Sequence, residues 1–97
     1  MKDHNFINSA LKVIEIESKA VMSLSNQIKS DFNNLCMKIL ETKGKLILMG
    51  IGKSGHIAQK ISATLSSTGT SSFFIHPTEA AHGDLGMISK KDAVLIL

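Results

Sequence analysis

From Asp3 to about Ile28 the apolar residues Ile7, Ala10, Leu11, Ile14, Val21, Leu24 and Ile28 recur at helical spacing, with Lys12, Glu15 and Lys19 between them. The pattern predicts one long amphipathic helix. Phe6, Val13, Ile16 and Ala20 widen its apolar arc beyond a single core-facing stripe, so a second surface needs covering, by a partner subunit or by deep burial within one domain. A second helix is predicted in "SDFNNLCMKILETKGK". Its N-cap is Ser30 or Asp31, and Phe32, Leu35, Cys36, Ile39 and Leu40 form its apolar face. It stops at Lys43, with Gly44 in the C-terminal capping position.

Lys45 to Met49 is short and almost continuously apolar, the pattern of a strand covered on both faces by helices. After a glycine-rich turn, Ile57, Ala58, Ile61 and Leu65 return to helical offsets, and Gly69 ends that helix. Ser71 to Ile75 is the second predicted strand, closed by His76-Pro77 because proline cannot donate to a ladder. "TEAAHGDLGMISKK" reads as a loop with one helical turn, and "DAVLIL" as a third strand. Strands separated by helices predict right-handed crossovers and a parallel sheet, so the fold class is α/β. The third strand is the last element, and a central parallel strand needs neighbours on both sides. The sequence therefore reads as the front part of a larger domain, with no internal repeat.

A length of 97 residues allows one core, and 43% hydrophobic with 20% charged residues is the balance of an ordinary globular chain. There is no apolar run of ~18 residues to span a membrane. The net charge of +3 is mild and comes entirely from lysine, since arginine is absent. Sequence-specific DNA readers rely on Arg forks and single-strand binders on aromatic platforms. Four Phe without Tyr or Trp supply neither, so no nucleic-acid partner is expected. The lone Cys36 has no disulfide partner, and the polar start "MKDHN" lacks the features of a secretory signal. The expected compartment is the cytoplasm, with Cys36 as a small buried hydrophobe.

The turn after the first strand, "GIGKSG", contains Gly50, Gly52 and Gly55 in the G-x-G-x-x-G spacing. A dinucleotide site also needs an acidic residue at the end of the second strand, where this chain has His76-Pro77. A P-loop would need its first glycine at position 47, which is Ile47 inside the strand. What remains is a short turn whose backbone N–H groups meet an anion at a helix N-terminus, with Ser54 adding a hydroxyl and Lys53 a charge. Such a turn suits one phosphate on a small molecule. The residues alone leave open that the glycines only make a tight turn.

"HPTEAAHGDLGMI" places His76, Glu79, His82 and Asp84 in nine residues after the second strand, where α/β proteins carry ligand-binding loops. The ends of strands one and two can face one crevice. A phosphate anchor on one loop and titratable groups on the other suit acid–base chemistry on a sugar phosphate. The alternative is a solvated loop in which Asp84 or Glu79 caps a helical turn. Zinc would need further ligands that no second cluster provides.

The combination of G-x-G-K-S-G with S-T-G-T and H-P-x-E-A-x-H-G-D-L-G, from about Gly44 to the C-terminus, closely resembles the sugar isomerase (SIS) domain of bacterial arabinose 5-phosphate isomerases. The resemblance implies a three-layer α/β/α fold around a parallel sheet. Residues 1–43 would be its N-terminal helical segment and residues 44–97 the first half of its sugar-phosphate-binding core. It implies interconversion of D-ribulose 5-phosphate and D-arabinose 5-phosphate, supplying a lipopolysaccharide sugar, without a cofactor and in a homo-oligomer that is a tetramer in the family.

By the same resemblance the family's active-site lysine falls on Lys53 and its loop histidine on His82. Gly52, Lys53 and Ser54 would line the substrate pocket. Glu79 matches a motif position without an assigned role. Zinc can bind near the loop histidine in that family, as an inhibitor, which would make His82 its ligand. The Ser-rich phosphate loop, two glutamates and a second histidine of the family match nothing here, which implies that this stretch alone is inactive. SIS domains also serve as sugar-phosphate-binding regulatory modules. That alternative is less well matched by the "HPTEAAHGDLG" loop.

Overall fold

The structure, a computed structural model, describes residues 5–97 and, at Asp84, the backbone alone. The expected helix start at Asp3 lies outside the described residues. The chain divides into two compact units, Met1–Leu35 and Cys36–Leu97. Among the described residues no helix is long and apolar enough to cross a membrane.

In the first unit, α1 spans Phe6–Ser23. Asn5 caps it, its side-chain oxygen accepting the Asn8 N–H at 2.9 Å, which satisfies one of the N–H groups every helix start leaves unpaired. The periodicity predicted a helix running on to about Ile28. Instead α1 stops at Ser23 and a 3-10 turn covers Leu24–Asn26. At this end Ser23 Oγ donates to the Ala20 carbonyl at 2.7 Å and Ser25 Oγ to that of Met22 at 2.9 Å, the same kind of bond that Ser18 Oγ makes to the Glu15 carbonyl within the helix. No described residue of α1 is buried, and Phe6, Ile14 and Val21 are 74%, 62% and 66% exposed.

Helix α2 spans Ser30–Glu41, so Ser30 is its first residue and it ends two residues before Lys43. The Thr42 hydroxyl closes its last turn, donating to the Lys38 carbonyl at 2.7 Å. Of the apolar face expected on α2, Ile39 packs into the core while Phe32, Leu35 and Leu40 are exposed and Cys36 is only partly buried. Gly44 has a different use from the capping predicted for it. A Cβ there would collide with the Asp92 carboxylate and the Lys91 backbone, so its small size lets residues 44 and 91 run side by side, joined by Gly44 N–H to Lys91 O at 2.9 Å.

The second unit carries β1 (Leu46–Met49), α3 (Lys53–Ser67), β2 (Ser72–Phe74), α4 (Pro77–Ala81), a 3-10 turn (Asp84–Met87) and β3 (Ala93–Ile96). The sheet is parallel with order β2-β1-β3, and Ile47 lies opposite both Phe73 and Val94. All four residues of β1 are buried. Strand alternation splits them between two clusters. Leu46 and Leu48 pack with Ala58, Ile61 and Leu65 of α3 and with Ile39, while Ile47 and Met49 pack with Ile75, Ala80 and Ile88. Helices on both faces of a parallel sheet are the α/β layering that the pattern predicted.

Two polar devices set the position of the strands. Ser72 on β2 and Ser62 on α3 are both buried. Ser72 Oγ donates to the Ser62 carbonyl at 2.8 Å, and Ser66 Oγ returns a bond to the Ser72 carbonyl at 2.9 Å. At the opposite strand, Asp92 accepts N–H groups from Lys45 at 2.7 Å and from Ser89 at 2.8 Å. The carboxylate thereby ties the residue before β1 to the residue before β3. The Ser89 N–H first and the Lys45 N–H second hold its pKa below the ordinary value, because both bonds favour the charged form.

Candidate functional site

The turn between β1 and α3 is built by its glycines in different ways. Gly52 precedes α3 with φ of 62° and ψ of −127°, a conformation that costs any residue with a Cβ. Gly50 and Gly55 serve close approach. A Cβ on Gly55 would lie 2.6 Å from the Gly50 carbonyl oxygen, and one on Gly50 would lie 2.8 Å from the Ser54 backbone. The carboxyl end of β1 therefore presses directly on the first turn of α3. That spacing is a packing device, which explains how a G-x-G-x-x-G pattern arises without the acidic partner a dinucleotide needs.

Lys53 and Ser54 are the first two residues of α3, and both are exposed. The N–H groups at such a helix start have no intrahelical partner and carry the positive end of the helix dipole. The Gly52 cap offers no side chain to them.

The second loop is more ordered than a loop with one turn. His76 caps α4, its Nδ1 accepting the Thr78 N–H at 3.1 Å, and Pro77 occupies the first helical position, where its missing N–H costs nothing. Glu79 does not take the capping role. Glu79 lies exposed in the first turn of α4, and the Asp84 side chain lies outside the described residues. His82 is the C-cap, exposed, with its backbone N–H shared between the Thr78 and Glu79 carbonyls at 3.1 Å each. The two histidines of the motif thus stand at the two ends of one five-residue helix.

Between these loops lies a crevice of about 200 Å³, lined by Gly50, Gly52, Gly55, His56, Gln59, Phe74 and His76. The structure brings together the ends of β1 and β2 there. Of the expected site residues, Gly52 lines it, while Lys53, Ser54 and His82 do not. His56, Gln59 and Phe74 were not singled out in the sequence. A signal for the first two existed: Gly55 and His56 lie four and three residues before Gln59 and so share one face of α3 with it. Phe74 sets its ring edge to face against His76, with centroids 6.4 Å apart and planes at 82°. Among the described residues no group of three His, Cys, Asp or Glu side chains could hold a metal ion.

Comparison with known proteins places this geometry. Arabinose 5-phosphate isomerase KdsD of Pseudomonas aeruginosa is 54% identical over 93 residues, which is 96% of this chain and 28% of that protein. KdsD of Salmonella typhi is 47% identical over the same length and share. The chain therefore spans under a third of the length of these curated relatives. A solved structure, Escherichia coli CFT073 c3406 in complex with arabinose 5-phosphate, superposes with a TM-score of 0.90 at 44% identity, covering 99% of this chain and 51% of that one. The model of the SIS domain matches residues 39–97, which takes in the sheet, α3, α4 and the crevice, and the chain belongs to the SIS domain family.

Proposed function

We propose that the chain is the substrate-binding front part of an aldose–ketose isomerase that interconverts D-ribulose 5-phosphate and D-arabinose 5-phosphate. The observation that carries this reading is the 54% identity to an arabinose 5-phosphate isomerase, sustained across 96% of the chain. The likeness to a structure holding arabinose 5-phosphate supports a pentose phosphate as ligand. The reaction removes a proton from C1 of the ketose, passes through an enediol and returns a proton to C2, while a second proton moves from O1 to O2. It needs a base and groups that stabilise charge on the oxygens, and no cofactor enters the balance.

In this reading Lys53, at the positive end of α3, stabilises negative charge on the enediolate oxygens. His82, at the end of α4, moves a proton, and Gly52 and Ser54 offer N–H and hydroxyl groups to the substrate. The protein acts in the cytoplasm on the path to lipopolysaccharide sugars. It works as a homo-oligomer, a reading supported by the exposed apolar residues of α1. The test is turnover of D-ribulose 5-phosphate by the full-length protein. Lys53→Ala and His82→Ala each should lower kcat by about 10²–10⁴-fold, the usual range for one acid–base or charge-stabilising group. Unchanged turnover in both variants would sink the residue assignment, and no turnover in the wild type would sink the reaction.

A further inference from the structure

The face of α3 toward the crevice changes character along its length. Its N-cap Gly52 and first-turn Gly55 present bare backbone, and further along it offers the imidazole of His56 and the carboxamide of Gln59. Across the crevice stands His76. Because its Nδ1 accepts the Thr78 N–H, the proton of its neutral ring sits on Nε2. Among the described residues the side chains of His56 and Gln59 make no hydrogen bond, and Nε2 of His76 makes none either. Polar groups that line a concave site without protein partners are the groups a ligand can engage.

The kind of group they engage follows from their chemistry. The lining holds two imidazoles and a carboxamide but neither carboxylate nor lysine, and Phe74 supplies an apolar wall. A phosphate dianion accepts hydrogen bonds and seeks cations, so an amide oxygen is a poor neighbour for it. A hydroxyl both donates and accepts, and an amide or imidazole answers both needs. A volume of about 200 Å³ also falls below the ~300–1,000 Å³ usual for larger ligands and suits a short carbon chain. Lys53 follows Gly52 directly and stays outside this lining, which separates the charged work from the neutral one.

Resting on the isomerase reading above, we infer that Gln59 and His76 are specificity-determining residues that bind the C3 and C4 hydroxyls of the pentose phosphate in this crevice. His76 is oriented through Nδ1, which accepts the Thr78 N–H in the α4 cap, and Phe74 stands edge to face beside its ring.

The test compares D-arabinose 5-phosphate with its 3-deoxy and 4-deoxy analogues in the full-length protein. Gln59→Ala removes the carboxamide. His76→Asn keeps a side-chain oxygen able to accept the Thr78 N–H, so the α4 cap survives while the Nε2 donor is lost. Each variant should lose about tenfold in kcat/KM for the parent sugar and nothing for the analogue that lacks its hydroxyl, so that discrimination between the two collapses. Equal losses on parent and analogue would show a merely structural role and overturn the inference. Wild-type turnover with both variants unchanged would overturn it while leaving the isomerase reading intact. If the wild type turns over no pentose phosphate, that reading falls and this assignment falls with it.

Discussion

Strands β1 and β3 lie side by side in one sheet and carry nearly the same chemistry, Leu-Ile-Leu-Met against Ala-Val-Leu-Ile, yet their surroundings differ sharply. Every residue of β1 is buried, with Ile47 and Leu48 at 0% exposure, whereas in β3 Val94 is 44% and Ile96 is 70% exposed. The cause is order and cover. β1 has a strand on each side and is the centre of the sheet, while β3 is an edge among the described residues. α3 packs on the face that holds Leu48 and Leu95, whereas on the other face Ala80 of the short α4 packs against Ile47 and Met49 and leaves Val94 and Ile96 of β3 exposed. An apolar run therefore reports that a strand can be covered on both faces, and leaves open whether it is.

The largest expected effect breaks the comparison at its buried end. Leu48→Ala empties a site with no exposure and should cost about 2–5 kcal/mol in urea unfolding, from lost burial plus the cavity left behind.

A smaller effect acts on the tie between the two strands. The Asp92 pKa is lower in the folded chain than in the unfolded one, so the folded state binds fewer protons and stability rises with pH through that window. The contribution is complete above the unfolded carboxylate value of about pH 4 and is lost as pH falls through the lower folded value. Asp92→Asn should flatten this acid limb in pH-dependent unfolding. An unaltered limb would show that the two N–H bonds do not hold the carboxylate charged.

The smallest effect lies at the exposed end. Ile96→Ser should change stability by no more than about 0.5 kcal/mol, as surface substitutions do. A loss as large as that of Leu48→Ala would mean that β3 is covered in solution, and the contrast between the strands would vanish.

Most of the fold was legible in the residues. The apolar run at residues 45–49, the helical offsets of Ile57, Ala58, Ile61 and Leu65, and the stop at Gly69 all correspond to elements within a residue or two. Departures lie at helix ends, which the apolar period does not mark: α1 stops at Ser23, with a 3-10 turn after it, and α2 stops at Glu41, with the Thr42 hydroxyl on the Lys38 carbonyl. Gly44 escapes a local reading because its reason for being glycine is long-range, the Asp92 carboxylate and the Lys91 backbone beside it.

The site divides in the same way. The motif spacing pointed to the glycine turn and to the His-rich loop, since both depend on residue types in local order. It could not show that His76, not an acidic residue, caps α4, or that His56 and Gln59 face the crevice, because these follow from how α3 packs on the end of β2.

By itself the sequence determined the α/β class, the parallel sheet, the glycine turn and the family motifs, all encoded by residues near one another in the chain. Only the tertiary structure decided which strand is central, which apolar faces are covered and which polar side chains converge on the crevice. The physical reason is that burial and convergence are properties of neighbours brought together by packing. Ile47 and Ile96 are the same amino acid in the same kind of strand, and what surrounds each one makes it core or surface.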